Sequence, residues 1–145
     1  MYNALSSKVA FDNLEDSLSG ALATYPVAAA AVTATANGAA WNRTGAFAEV
    51  VPASTITSSI FLDSLVIEQT NTTDTFLIDI ATGGAGHEVV IASVRFNILQ
   101  VNNNGTTIIP IRAKVDANVR ISVRCTSAAA AANTANVSIQ YRTVS

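Results

Sequence analysis

Through the second half of this chain, apolar and polar side chains alternate residue by residue, and a period of two is the spacing of a strand with one dry face. In NVRISVRCTS, Val119, Ile121, Val123 and Cys125 alternate with Arg120, Ser122 and Arg124, so one face is apolar and the other basic and hydroxylated. In NVSIQYRTV, Val137, Ile139 and Tyr141 alternate with Ser138, Gln140 and Arg142. Upstream, IFLDSLVIEQ, TFLIDIA, EVVIASVRFNILQ and TTIIPIRA read as four further strands, separated by the turn-forming NTTD, TGGAGH and VNNNG. Short strands with turn signals between them, and no helical pattern, predict an all-β chain folded as an antiparallel, jelly-roll-like β-sandwich. Pro110 has no N–H to give a ladder, so its strand is expected at a sheet edge or at a bulge.

The first 50 residues have a different composition. They hold 14 of the 26 alanines, whereas all 12 isoleucines and 11 of the 15 valines follow residue 50. β-Branched residues favour a pleated, half-buried surface, which places the sheets in the second part. Phe11, Leu14, Leu18 and Leu22 fall at intervals of three and four and would line one face of a short helix over 6–22, with Pro26 beyond its end. The alanine-rich stretch that follows lacks large side chains. The expected organisation is therefore an N-terminal arm over 1–48, extended apart from that helix and ordered by packing on something else, followed by a sandwich domain over 49–145.

Charge and composition exclude several functions. The net charge is -2, and the eight basic residues form no stripe that could neutralise a phosphate backbone, so nucleic acid is not an expected partner. The uncharged run from Ser17 to Asn42 is long enough to cross a bilayer but consists mainly of Ala, Thr, Ser and Gly, which argues against membrane insertion. One cysteine and one histidine leave neither an intrachain disulfide nor a histidine-rich metal site to build. The acidic residues near the start do not fit a secretory signal, and synthesis in a reducing cytoplasm is expected.

No residue pattern carries catalysis. His87 follows TGGAG, but these glycines lead into a strand and not into the helix of a phosphate loop, so His87 is expected as an exposed turn residue. Cys125 lies on the apolar side of its strand, where burial would make it an inert small hydrophobe. Pairs such as Asp74 with Asp79, or Glu68 with Asp63, are expected on a solvated face. No catalytic, cofactor-binding or metal-ligating residue is assigned, and the chain is not expected to be an enzyme. The candidate partner-binding residues are Phe11, Leu14, Leu18 and Leu22 on the arm, and Trp41, a lone aromatic anchor ahead of the sandwich.

From about residue 55 the order TFLIDIATGGAGHEVVIASVRF, TTIIPIRAKVDANVRISVRCTS, ANVSIQYRTV resembles a jelly-roll module of tailed-bacteriophage structural proteins. The matching residues are Asp79, Ile80, Gly83, Gly84, Gly86, Glu88, Pro110, Ile111, Arg120, Arg124, Cys125, Val137, Ser138, Ile139 and Tyr141. The resemblance implies a virion structural protein. A compact module with an arm fits a capsid decoration or cement protein on the head surface, bound to the major capsid protein or other virion proteins and associating as a homotrimer. The alternative is a tail, head-fibre or fibre-base protein contributing to receptor binding. A cupin-like enzyme would need a cluster of histidines, and His87 stands alone.

Overall fold

The structure is a computed structural model that describes residues 20–27, 31–99 and 106–144. Among them, nine strands form: β1 (Ala23–Tyr25), β2 (Val32–Thr35), β3 (Ala48–Val51), β4 (Ile60–Thr70), β5 (Asp74–Thr82), β6 (Val89–Ile98), β7 (Thr107–Val115), β8 (Ile121–Ser127) and β9 (Thr134–Thr143). Two antiparallel sheets result. Sheet A has the order β1-β9-β4-β7, with β2 also on β9, and sheet B has the order β3-β8-β5-β6. Numbered from β2 as the first of eight, these orders are 1-8-3-6 and 2-7-4-5, the double Greek key of a jelly roll.

The alternation expected from the sequence sets which side chains face inward. Ile121, Val123 and Cys125 of β8, Phe76, Ile78 and Ile80 of β5, and Val137 and Ile139 of β9 meet Leu62, Leu65 and Ile67 of β4 in one apolar core between the sheets. Phe76 and Phe96 stack there with ring centroids 5.4 Å apart. β7 lies at the edge of sheet A, where Pro110 stands opposite Ser64, and the β4–β7 register shifts between Leu62 and Ser64. Proline is thus found at both an edge and an irregularity, as its missing N–H requires.

The division expected at residue 48 does not coincide with a structural boundary. Val32–Thr35 pairs with Val137–Thr134, and Ala23–Tyr25 pairs with Tyr141–Ile139. On β9 only Ser138 separates the two pairings, whereas the other strand spends residues 26–31 between them, so β1 and β2 act as one interrupted edge strand. Ala34 and Ala36 are 1% and 3% exposed and belong to the core. The alanine-rich segment therefore supplies the first strand of the jelly roll. Its inward side chains are Val32, Ala34 and Ala36, and the ladder to β9 makes up for their small apolar bulk in fixing it. Of the helix expected over 6–22, positions 6–19 lie outside the described residues, and Gly20–Leu22 are not helical.

Candidate functional site

The most organised polar arrangement lies on the outer face of sheet B. Alternation with Ile78 and Ile80 turns Asp79 of β5 away from the core. Its ladder neighbours on the same face are Arg124 of β8 and Ser93 of β6. Between β2 and β3, residues 37–47 run as a strap across this face. Asparagine side chains shape the strap by capping nearby backbone: Asn37 Oδ1 accepts from Ala39 N–H (3.2 Å) and Asn42 Oδ1 from Thr44 N–H (2.9 Å). The Trp41 N–H donates to the Ser127 carbonyl at 2.9 Å and ties the strap to the end of β8.

Three side chains carry the strap across the sheet. Arg43 donates through Nε to Asp79 Oδ2 at 2.9 Å and through Nη2 to Asp79 Oδ1. Phe47 lies under the Arg124 guanidinium, 4.5 Å from ring centroid to Cζ. Trp41 lies under Arg95 at 4.7 Å. Both are cation–π contacts of favourable geometry. Arg124 adds Nη2 and Nε donors to Asp79 Oδ2 at 2.8 and 3.2 Å, and Ser93 donates its hydroxyl to Oδ1 at 2.6 Å. Asp79 is only 1% exposed. Burial works to raise its carboxyl, but the hydrogen bonds from Arg43, Ser93 and Arg124 outweigh it and hold the group below its ordinary value. An ionised carboxylate with both oxygens engaged is a clamp, and it fastens the strap to the sheet.

A second ion cluster lies beside it. Arg120 donates to Glu49 at 2.7 Å and to Glu88 at 2.9 Å, which joins β3, the residue just before β8 and the turn before β6. Ser122, between Arg120 and Arg124 on β8, is fully buried, and its hydroxyl has no partner among the described residues. Glu88 also accepts the Gly86 N–H at 2.9 Å, which closes the TGGAGH turn. Its own backbone N–H, followed by Arg120 and Gly86, keeps the Glu88 carboxyl below its ordinary value against the opposing effect of burial. His87 is exposed in this turn, as expected. A Cβ on Gly83, whose φ is +114°, would come within 2.6 Å of the His87 carbonyl oxygen, so this turn requires glycine there.

Cys125 is fully buried, and burial, with Asp74 adding to it, pushes its thiol up to about 12, so it carries no thiolate at neutral pH. Of the candidate partner-binding residues, Phe11, Leu14 and Leu18 lie outside the described residues. Leu22, just before β1 on sheet A, is 45% exposed, and Trp41, on the strap over sheet B, is 40% exposed. The structure does not bring these two together. Among the described residues no three His, Cys, Asp or Glu side chains form a group able to hold a metal, and no helix is long and apolar enough to cross a membrane.

The expectation that Asp79 sits on a solvated face is overturned, because Arg43, Ser93 and Arg124 converge on it and the strap covers it. The signal for this was a charge set between two isoleucines in TFLIDIA, opposite in phase to the core. Comparison with protein-family models, with curated proteins and with solved structures finds no match to the chain.

Proposed function

We propose that the chain is a virion structural protein of a tailed bacteriophage, a capsid decoration or cement protein that binds the head surface and stabilises the shell. The observation that carries this reading is the strand order, since the 1-8-3-6 and 2-7-4-5 jelly roll is an architecture recurrent in viral shell proteins. The residues that resemble the phage module also occupy defining positions within it. Asp79 and Arg124 form the clamp of sheet B, Gly83, Gly86 and Glu88 form the β5–β6 turn, and Pro110 marks the edge at β7. The described ion pairs of sheet B join parts of the chain to one another, which suits a module that contributes rigidity and surface. The partner on this reading is the major capsid protein, and association is as a homotrimer. The candidate contacts are Phe11, Leu14, Leu18, Leu22 and Trp41, of which Leu22 and Trp41 are exposed.

Virions stripped of this protein should lose resistance to heat and osmotic shock and regain it when the purified protein is added back. Particles whose resistance is the same with and without it contradict the proposal. One observation favours the alternative tail or fibre-base role: Trp41 is an exposed aromatic stacked with an arginine, a surface on which a sugar ring can lie. Binding of the purified protein to host-surface glycans, lost in Trp41→Ala, would support that role.

A further inference from the structure

A sheet edge left open can accept a further strand, and the edges of the two sheets differ in how they are closed. Among the described residues, β1 and β2 form a short, interrupted edge, and β3 is four residues long with a register shift between Glu49 and Val51. β7 carries Pro110 and an irregularity at which Arg112 has a φ of +58°. β6 is the long and regular edge. It has ten residues without a proline and pairs only with β5. Its register runs unbroken from Ile98 opposite Asp74 to Ala92 opposite Ile80. Among the described residues no group outside β5 bonds its backbone, so N–H and C=O groups along the free side have no partner there.

Charge along this side selects what can lie there. β6 and β7 are sheet edges on the same side of the sandwich and touch each other. Together they carry Arg95, Arg112 and Lys114 and no acidic residue, in a chain whose net charge is -2. Glu88, just before β6, is taken up by Arg120. None of the three cations has a carboxylate within 4.0 Å among the described residues. Arg95 alternates with Val94 and Phe96 of the core and so projects on the outer face. Stacking on Trp41 occupies one face of its guanidinium and leaves the N–H fork in the plane to donate. A second β6 centred on the unbroken stretch would set Arg95 against its own copy, and like charges opposite each other destabilise a ladder. Val89, Val90, Leu99 and Ile108, four of the seven large hydrophobic residues exposed among those described, lie at the ends of these two strands.

We infer that the free edge of β6 is a docking site for an extended acidic segment of another protein, which adds antiparallel as a fifth strand of sheet B. Backbone hydrogen bonds to β6 hold the segment, its carboxylates meet Arg95 and Arg112, and its apolar side chains cover the exposed valines at the start of β6. This goes beyond the virion reading and stands without it, because the open edge and its charge belong to the sandwich itself.

The test adds a short peptide alternating glutamate and valine to the full chain. Trp41, the only tryptophan, stacks with Arg95 and reports binding by its fluorescence, while amide shifts locate the peptide. Docking predicts saturable binding with shifts centred on β6. Lysine in place of the glutamates should weaken binding by about tenfold or more, because like charges then meet at the edge. Proline at the central valine should weaken it as much, because a ladder bond is lost. Arg112→Glu, at an exposed position, should narrow the difference between the glutamate and lysine peptides. Equal binding of these two peptides, shifts centred away from β6 and β7, or no saturation at millimolar peptide overturns the inference. So does protection of the β6 amides that grows with concentration in the chain alone, because the edge would then belong to a second copy.

Discussion

Replacing Asp79 by Asn keeps the shape of the side chain but removes its charge and turns one acceptor oxygen into a donor facing two guanidinium groups. In the native protein Arg43, Arg124 and Ser93 all donate to this carboxylate, which is 1% exposed. Breaking a fully buried ion pair by removing one partner costs about 3–5 kcal/mol. Here the side chains of Arg43 and Arg124 are 48% and 16% exposed, so both regain hydration, and the expected loss at neutral pH is about 2–4 kcal/mol. An unfolding entropy of about 2.1 cal/mol/K per residue gives about 0.3 kcal/mol/K for this chain, so Tm should fall by about 7–13 °C in calorimetry. The pH dependence has a definite sign. A carboxyl held lower in the folded state than in the unfolded one contributes its full stability above the ordinary value of 3.8 and loses it as pH falls through the folded value. The gap between the native protein and Asp79→Asn should be constant above about pH 5 and narrow below about pH 4. A variant that loses less than about 0.5 kcal/mol at pH 7, the range of ordinary surface substitutions, would show that the strap is not clamped through Asp79.

Deleting residues 1–45 removes β1, β2 and Arg43 and leaves β9 unpaired along one side, so no cooperative melt is expected by circular dichroism; a sharp transition near that of the full chain would contradict the placement of β2 in the fold. Cys125 should resist a disulfide reagent at pH 8 in native buffer and react fully in denaturant, and rapid reaction in native buffer would contradict its burial. Gly83→Ala sets a Cβ 2.6 Å from the His87 carbonyl oxygen at φ +114°, and should cost about 1–3 kcal/mol in urea unfolding, with no loss if the turn can rearrange freely.

The strands legible in the sequence are those in which isoleucine and valine alternate with polar residues. All six expected runs are strands, β4 to β9, and the alternation in β8 and β9 predicted which side chains enter the core. β2 was hidden although Val32-Thr33-Ala34-Thr35-Ala36 alternates equally well. Alanine has little strand preference of its own, and only the pairing with β9, about 100 residues away, makes the segment a strand. The clamp was hidden for a related reason. Alternation places Asp79 and Arg124 each on a polar face, but that the two faces are one follows only from β5 lying beside β8, which are not consecutive in the chain. Arg43, the lone charge after a long uncharged run, gave no sign of its partner 36 residues on. The turn at TGGAGH was legible because glycine at fixed positions has a local cause.

The proposal that this jelly roll is a component of a phage shell can be checked by a symmetric reconstruction of the intact virion. The expected result is two-sheet density of this size on the outer surface of the head, at regular positions over the capsid subunits, into which the strand order β2-β9-β4-β7 over β3-β8-β5-β6 can be traced. Virions in which the head surface lacks such density, with the protein confined to the tail or absent from purified particles, would contradict it.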